Sequence, residues 1–252
     1  MVYTTEEVET SYKALIQLGE CYNKDKSLQG RFVLTGGWAP YFITLNRFQH
    51  TGSRDIDLVL SLELMKIYTN IVRLMTENLG YRQTGPFEFL RTDNDITYEV
   101  HFLCEPKHVP PNIGTYRIQR GLYPFVIRGS SIVFDNNFFQ QIGDTKILVS
   151  GPVASISLKA HAFDIDANRI KDPYDIYAIL ISVDNIDQLL SSWASSNPFV
   201  EESLELLRRT FESETSRGPA GAAEYLIANP SERVEFAARV YTSVNSILDK
   251  IP

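Results

Sequence analysis

The chain has 252 residues, of which 44% are hydrophobic, 22% charged and 12% aromatic, a composition that suits a folded globular protein and excludes extended disorder. A net charge of -7 excludes nucleic-acid binding by overall charge and leaves any polyanion to a local basic patch. Cys21 and Cys104 make neither a disulfide framework nor a metal-ligand pattern, MVYTTEEVET does not read as a signal peptide, and no apolar run approaches the ~20 residues of a membrane helix, so a cytoplasmic protein with no membrane partner is expected.

Residues 5 to about 24 carry Val8, Tyr12, Leu15, Ile16 and Leu18 at helical spacing, after which KDKSLQG reads as a loop into the strand-like RFVLT. Gly36 and Gly37 break that strand, WAPYFITLNRF (38–48) suits a helix, and RDIDLVL (54–60) alternates in strand fashion. SLELMKIYTNIVRLMTENLGY (61–81) predicts a helix with Ser61 as N-cap, Glu63 in the first turn and Gly80 as stop signal. RQTGPFEFLRT and ITYEVHFL, on either side of the turn-forming DND, predict a hairpin. From 105 to 145 the chain reads as loop with short strands, YRIQR and PFVIRG foremost. After KILVSGP, five segments have helical spacing: VASISLKAHAFDIDANRI, DPYDIYAILIS, IDQLLSSWASS, FVEESLELLRRTFES and SERVEFAARVYTSVNSILDK. An α/β part over 1–150 is therefore expected to precede a helical part over 151–252, without internal repeats.

In RDIDLVL, Asp55, Asp57 and Val59 share one face and Ile56, Leu58 and Leu60 the other, because strand side chains alternate. In TYEVHFL, Glu99, His101 and Leu103 share one face, opposite Tyr98, Val100 and Phe102. If these strands are neighbours, Glu99 stands beside the aspartates. Carboxylates gathered on a half-buried sheet repel one another, so the pattern makes sense mainly with a divalent cation among them. Oxygen ligands suit Mg²⁺ or Mn²⁺, with water and substrate phosphates completing the shell. Gly36 and Gly37, between strand and helix, would let backbone N–H groups approach a phosphate. The plainer alternatives are solvated carboxylates at a strand start and an ordinary glycine turn.

LTGGWAPYFI, GSRDIDLVL and YEVHFL, in that order, resemble the nucleotidyltransferase superfamily of the DNA polymerase β type over about residues 30–104. The resemblance implies an α/β (α+β) fold, with an N-terminal nucleotidyltransferase-like mixed sheet flanked by helices and then a C-terminal helical domain. It implies transfer of an NMP from an NTP to an acceptor with Mg²⁺ or Mn²⁺, Asp55, Asp57 and Glu99 being the metal-binding and catalytic carboxylates. Gly36 and Gly37 would contact the triphosphate, with Ser53 assisting. The third acid of the superfamily is most often Asp, whereas Glu99 is longer by a methylene; Glu88 on the preceding strand is the weaker candidate for that place.

SISLKAHAFDIDANRIKDPYDIYAIL resembles the helical segment after the catalytic sheet in AbiEii-type nucleotidyltransferase toxins and related small transferases, through Lys159, Arg169, Lys171, Asp172 and Asp175. That implies Lys159 as a nucleotide-binding cation, with Lys171 or Asp172 positioning it or the substrate. Asp172 reads equally as a helix N-cap ahead of Pro173, with Asp175 completing an acidic first turn. Arg54, beside Asp55, and His101 are further candidates, His101 being either next to the site or a polar surface residue. Lys107, Arg117, Arg120 and Arg128, interleaved with Tyr116, Tyr123 and Phe125, read either as an acceptor or RNA-end surface or as an exposed strand face. Trp38 either stacks on a base or starts a helix as a buried aromatic.

The leading expectation is a metal-dependent nucleotidyltransferase that takes an NTP as substrate and modifies a hydroxyl or phosphate of RNA, protein or a small molecule. A toxin-like enzyme with an antitoxin partner lies within that class. The alternatives are an antibiotic-type small-molecule transferase, a catalytically silent nucleotide-binding protein of the same fold, and a hydrolase using the same carboxylates. No Ser/His/Asp or Cys/His spacing supports covalent catalysis.

Overall fold

The computed structural model describes residues 3–24, 28, 30–45, 47–61, 68–105, 125–183, 189, 193 and 197–251, with 125 and 126 described by backbone alone. The chain divides into two units: Tyr3–Ala39 with Gly52–Ser150, and Pro40–Thr51 with the chain from Gly151 onward. The fold is α/β, a mixed sheet followed by a helical part.

The sheet unit contains β1 (Phe32–Thr35), β2 (Ile56–Leu60), β3 (Arg82–Gly85), β4 (Glu88–Asp93), β5 (Ile96–Cys104), β6 (Phe125–Val126), β7 (Asn137–Ile142) and β8 (Thr145–Ser150). They form one eight-stranded sheet in the order β3-β4-β5-β2-β1-β8-β7, with β6 paired to β5. The alternation expected for β2 is realised: Ile56, Leu58 and Leu60 are buried on one face. Helix α1 (Thr5–Lys24), with the expected bounds, brings Leu15, Leu18 and Tyr22 to Leu34, Leu58 and Phe102 around an apolar cavity of about 30 Å³. Each such buried side chain contributes roughly 1.5–3 kcal/mol, which anchors the sheet from behind and leaves its other face for polar groups.

The expected hairpin forms between β4 and β5, joined by Asn94 at φ 51° and Asp95 at φ 65°, the positive pair that a two-residue type I′ turn requires. RQTGPFEFLRT is two strands rather than one, β3 and β4, parted around Pro86 and with a register shift between Gln83 and Gly85. The expected 61–81 helix is described from α3 (Tyr68–Arg73), which continues as a π-helical turn over Leu74–Asn78 and stops at Gly80 as anticipated. Its Glu63 end lies outside the described residues. Strand β7 was not legible, because Phe138-Phe139-Gln140-Gln141 breaks the period of two.

Helix α2 (Trp38–Thr44) ends four residues before the expected 48. The helical unit has α4 (Pro152–Ile165), α5 (Lys171–Ser182), α6 (Pro198–Thr210), α7 (Arg217–Leu226) and α8 (Pro230–Leu248). Asn-Pro starts both α6 and α8: Asn197 and Asn229 accept from Phe199 N–H and Ser231 N–H, and the prolines occupy positions that need no donor. Helix α7 is hidden in the sequence because Gly218, Pro219 and Gly221 read as breakers within RGPAGAAEYL. A Cβ on Gly221 would come within 3.2 Å of Pro173, so the small residues let α7 press onto α5. Of IDQLLSSWASS, only Leu189 and Trp193 are described, both buried. Among the described residues no helix is long and apolar enough to cross a membrane.

Candidate functional site

The sheet order joins the candidate carboxylates. β1 runs antiparallel to β2 with Thr35 opposite Asp57, and β2 runs parallel to β5 with Asp57 opposite His101. Residues directly opposite share a face, so Asp57, His101 and Glu99 stand on one side, the polar one, while Ile56 and Leu58 fill the other. Glu88 on β4 lies opposite His101 and joins the same face.

Gly36 follows β1 at φ +63°, and a Cβ there would overlap Asp57 Oδ2 and approach Asp57 Cγ at 2.8 Å. Both the backbone conformation and the contact exclude a side chain, which brings the turn directly against the carboxylate. Gly37 is half-buried in the same turn. Trp38 is fully buried and its Nε1–H donates to Ser11 Oγ at 3.3 Å, so it is the helix-start aromatic and offers no face to a base.

His101 stands between two carboxylates, with Nδ1 3.1 Å from Asp57 Oδ1 and Nε2 2.9 Å from Glu99 Oε2. The hydrogen bond to Asp57, aided by Glu99 and opposed by burial, pushes its pKa up to about 9, so both ring nitrogens donate at neutral pH. Asp55 Oδ1 accepts from the backbone N–H of Glu99 at 3.3 Å and from Arg54 Nε at 3.4 Å. Burial raises the Asp55 pKa, with Asp57 adding to it and Arg54 opposing. Ser53 Oγ donates to the Asp55 carbonyl at 3.1 Å, which ties the approach to β2. Arg82 on β3 lies opposite Leu90, itself opposite Glu99, so among the described residues the face carries Asp55, Asp57, Glu88 and Glu99 against Arg54, Arg82 and His101.

This donor set fits a hard cation. Mg²⁺ is ordinarily held by one or two carboxylates plus substrate phosphates rather than by a closed protein cage. Among the described residues no group of three or more His, Cys, Asp or Glu side chains forms such a cage. Asp57, seated on the glycine turn where phosphate oxygens could approach, and Asp55, half-exposed beside it, suit the open arrangement.

The helical unit holds a second charged cluster. Lys159 Nζ lies 3.0 Å from Asp172 Oδ1 and 2.5 Å from Asp175 Oδ2, Lys171 Nζ donates to both Asp175 oxygens at 2.9 Å, and Arg169 Nε reaches Asp172 Oδ2 at 2.5 Å. His50 Nε2 lies 2.8 Å from Asp175 Oδ1, a partner 125 positions away that no sequence signal announced. Burial raises and the lysines depress the Asp175 carboxyl, and the lysines prevail, holding it well below the usual range. Burial opposes and the aspartates favour the charged Lys159, whose pKa is raised. Burial lowers the pKa of Lys171 and of His50. Asp172 is not the N-cap: α5 starts at Lys171 after Ile170, and the Asp172 carboxylate serves Lys159 and Arg169. Asp175 is fully buried rather than part of an exposed acidic turn.

Lys107, Tyr116, Arg117, Arg120 and Tyr123 lie outside the described residues, as does the side chain of Phe125; Arg128 is exposed in the turn before a 3₁₀ helix over Ser130–Phe134.

No family model matches the chain, and no curated protein matches it. Among solved structures it is similar to an antigenic nucleotidyltransferase-like protein from Paracoccidioides brasiliensis, at 14% identity over 81% of this chain and 94% of that one, with a TM-score of 0.40. It is also similar to the lincosamide antibiotic adenylyltransferase LnuA, bound to lincomycin, at 18% identity over 71% of this chain and 98% of that one, TM-score 0.38. A third likeness is to the antibiotic-resistance factor ANT(2″)-Ia, at 15% identity over 96% of each chain, TM-score 0.36. Likenesses this distant leave function to be argued from the chain's own residues.

Proposed function

We propose that the protein is a nucleotidyltransferase that moves a nucleoside monophosphate from an NTP to an acceptor hydroxyl, with its chemistry in a catalytic domain over 1–150 followed by a helical domain over 151–252. The observation that carries this reading is Asp57 pressed against the Gly36 turn, with Asp55 on the same strand and Glu99 on the adjacent one. Asp55 and Asp57 hold Mg²⁺ or Mn²⁺, and Gly36 and Gly37 receive the triphosphate. A bound divalent cation supplies neutralisation of phosphate charge. Glu99, nearly half exposed, takes the proton of the acceptor hydroxyl. The acceptor oxygen then bonds to the α-phosphorus, the bond to the bridging oxygen breaks, and pyrophosphate leaves. His101 and Arg54 orient the carboxylates, and Ser53 holds the Asp55 backbone. Lys159, whose ammonium meets two buried carboxylates, is assigned with Lys171 and Asp172 to the scaffold of the helical domain.

The acceptor we infer is a small cationic molecule rather than RNA. The chain has a net charge of -7, and among the described residues the site face carries Asp55, Asp57, Glu88 and Glu99 against Arg54, Arg82 and His101, an acidic excess that attracts cations and repels polyanions. A second reading, a catalytically silent nucleotide-binding protein, is favoured by His101, which already supplies positive charge between Asp57 and Glu99.

Incubation with each α-labelled NTP, Mg²⁺ or Mn²⁺ and a panel of aminated small molecules or total RNA decides between them. Labelled acceptor with pyrophosphate release, lost in Asp57→Asn, is the expected result. NTP binding indifferent to Mg²⁺ in calorimetry, without transfer, would leave the silent fold.

A further inference from the structure

The two edges of the sheet are guarded very differently. β3 has Arg82 at its start, a register shift between Gln83 and Gly85, and Pro86 just beyond, all devices that prevent another strand from adding. β7, Asn137–Ile142, has six residues with no charge, no proline and no bulge, and Phe139 keeps 69% of its surface exposed.

Its hydrogen-bonding direction follows from the turn. Ile142 pairs with Thr145 across a two-residue loop, so Ile142, Gln140 and Phe138 exchange ladder bonds with β8, while the N–H and C=O groups of Asn137, Phe139 and Gln141 point outward. Among the described residues no hydrogen bond engages the backbone N–H of Phe139 or Gln141 on that side, while the Gln141 carbonyl accepts from the neighbouring Gln140 Nε2 at 2.8 Å. The side chains of these three residues also share one face.

We propose that β7 is the contact through which two copies of this chain pair, antiparallel and two-fold about Phe139. In that register Phe139 faces its own copy and Asn137 faces Gln141 of the second copy, all at outward-pointing positions. Three residue pairs then exchange backbone hydrogen bonds, the Gln140 amide releasing the Gln141 carbonyl, and the aromatic rings meet. The strand is self-complementary because it is uncharged; its nearest acids, Asp135 and Asp144, fall outside the six paired residues. Since each copy carries a net charge of -7, salt should strengthen the pairing.

Sedimentation of the full chain over a wide concentration range, at low and high salt, is the test. A dimer that forms with concentration and tightens with salt is expected. Gln141→Pro deletes one outward N–H at a position where an edge strand tolerates proline, and Phe139→Lys sets two like charges on the axis; each should weaken the dimer at least about tenfold with an unchanged circular dichroism spectrum. Phe139→Cys should form an intermolecular disulfide, because residues directly opposed at such a pair have Cα atoms about 5.5 Å apart, within disulfide range. Ile165→Cys, at an 86% exposed apolar position elsewhere, gives the collisional background. A monomer at every concentration, whatever else the edge binds, would overturn the proposal. So would a dimer unaffected by both substitutions, or cross-linking of Phe139→Cys no greater than that of Ile165→Cys.

Discussion

The carboxylates on β2 and β5 and those on α5 are the same chemical groups under opposite conditions. Asp55, Asp57 and Glu99 keep 27%, 25% and 46% of their side-chain surface in solvent, and their cationic neighbours are one histidine and a half-exposed arginine. Asp172 and Asp175 keep 4% and 0%, and Lys159, Lys171 and Arg169 balance them within 3.0 Å. A buried charge must be matched inside the protein, because the desolvation cost is otherwise several kcal/mol per ion. A half-exposed group of acids can wait for a counter-ion from outside. On the proposed reading the open cluster receives substrate and metal, and the closed one serves the fold.

Asp57→Asn should break the comparison most visibly on the activity side. Transfer should fall by about a thousandfold or more, roughly 4 kcal/mol of transition-state stabilisation, while the urea midpoint stays near that of the wild type. Asp175→Asn should do the reverse. With Lys159 and Lys171 left buried beside one remaining carboxylate, stability should drop by about 3–5 kcal/mol in urea unfolding. A variant as stable as the wild type would mean that the closed cluster is dispensable.

Gly36→Ala tests the close seat of Asp57. The left-handed backbone costs an L-residue about 1–2 kcal/mol, and the new methyl must displace the carboxylate, so stability and NTP-dependent transfer should fall together. Unchanged transfer would show that the turn and Asp57 do not act together.

The smallest effect concerns pH. His50 is buried, and its pKa is lowered below the unfolded value, so the unfolded chain binds more protons over the range in question. Its contribution is fully present above the unfolded value near about 6.5 and is lost as pH falls through and below it. His101, whose raised pKa acts in the opposite direction, is common to both proteins, so from pH 7 towards pH 5 the urea midpoint of the wild type should lose ground relative to that of His50→Gln. Asp175, whose pKa is depressed, adds a loss in the same direction at lower pH, beginning as pH approaches the unfolded carboxylate value of about 4.

Much of the open cluster was legible because it is local in sequence. Alternation in RDIDLVL and TYEVHFL assigned faces, and once β2 and β5 are neighbours, Glu99 and His101 necessarily join Asp57. The closed cluster was not legible. Asp172-Pro173 looks like a helix start by itself, and nothing in it announces a lysine thirteen positions earlier or a histidine from before β2. Helix α7 was missed for a related reason, since its glycines and alanines make sense only against Pro173 of α5.

By itself, then, the sequence determined the periods: where α1, β1, β2 and the β4–β5 hairpin form, which side of each strand is apolar, and that two aspartates interrupt one of them. Those features depend on side-chain alternation and turn chemistry within a few residues. Tertiary structure alone decided that Gly36 lies on Asp57, that His101 bridges two acids, that Lys159, Lys171 and His50 converge on Asp175, and that among the described residues β7 ends the sheet unguarded. Each of these depends on which distant segments become neighbours, and on the need of a buried charge or an unpaired strand for a partner wherever in the chain it is found.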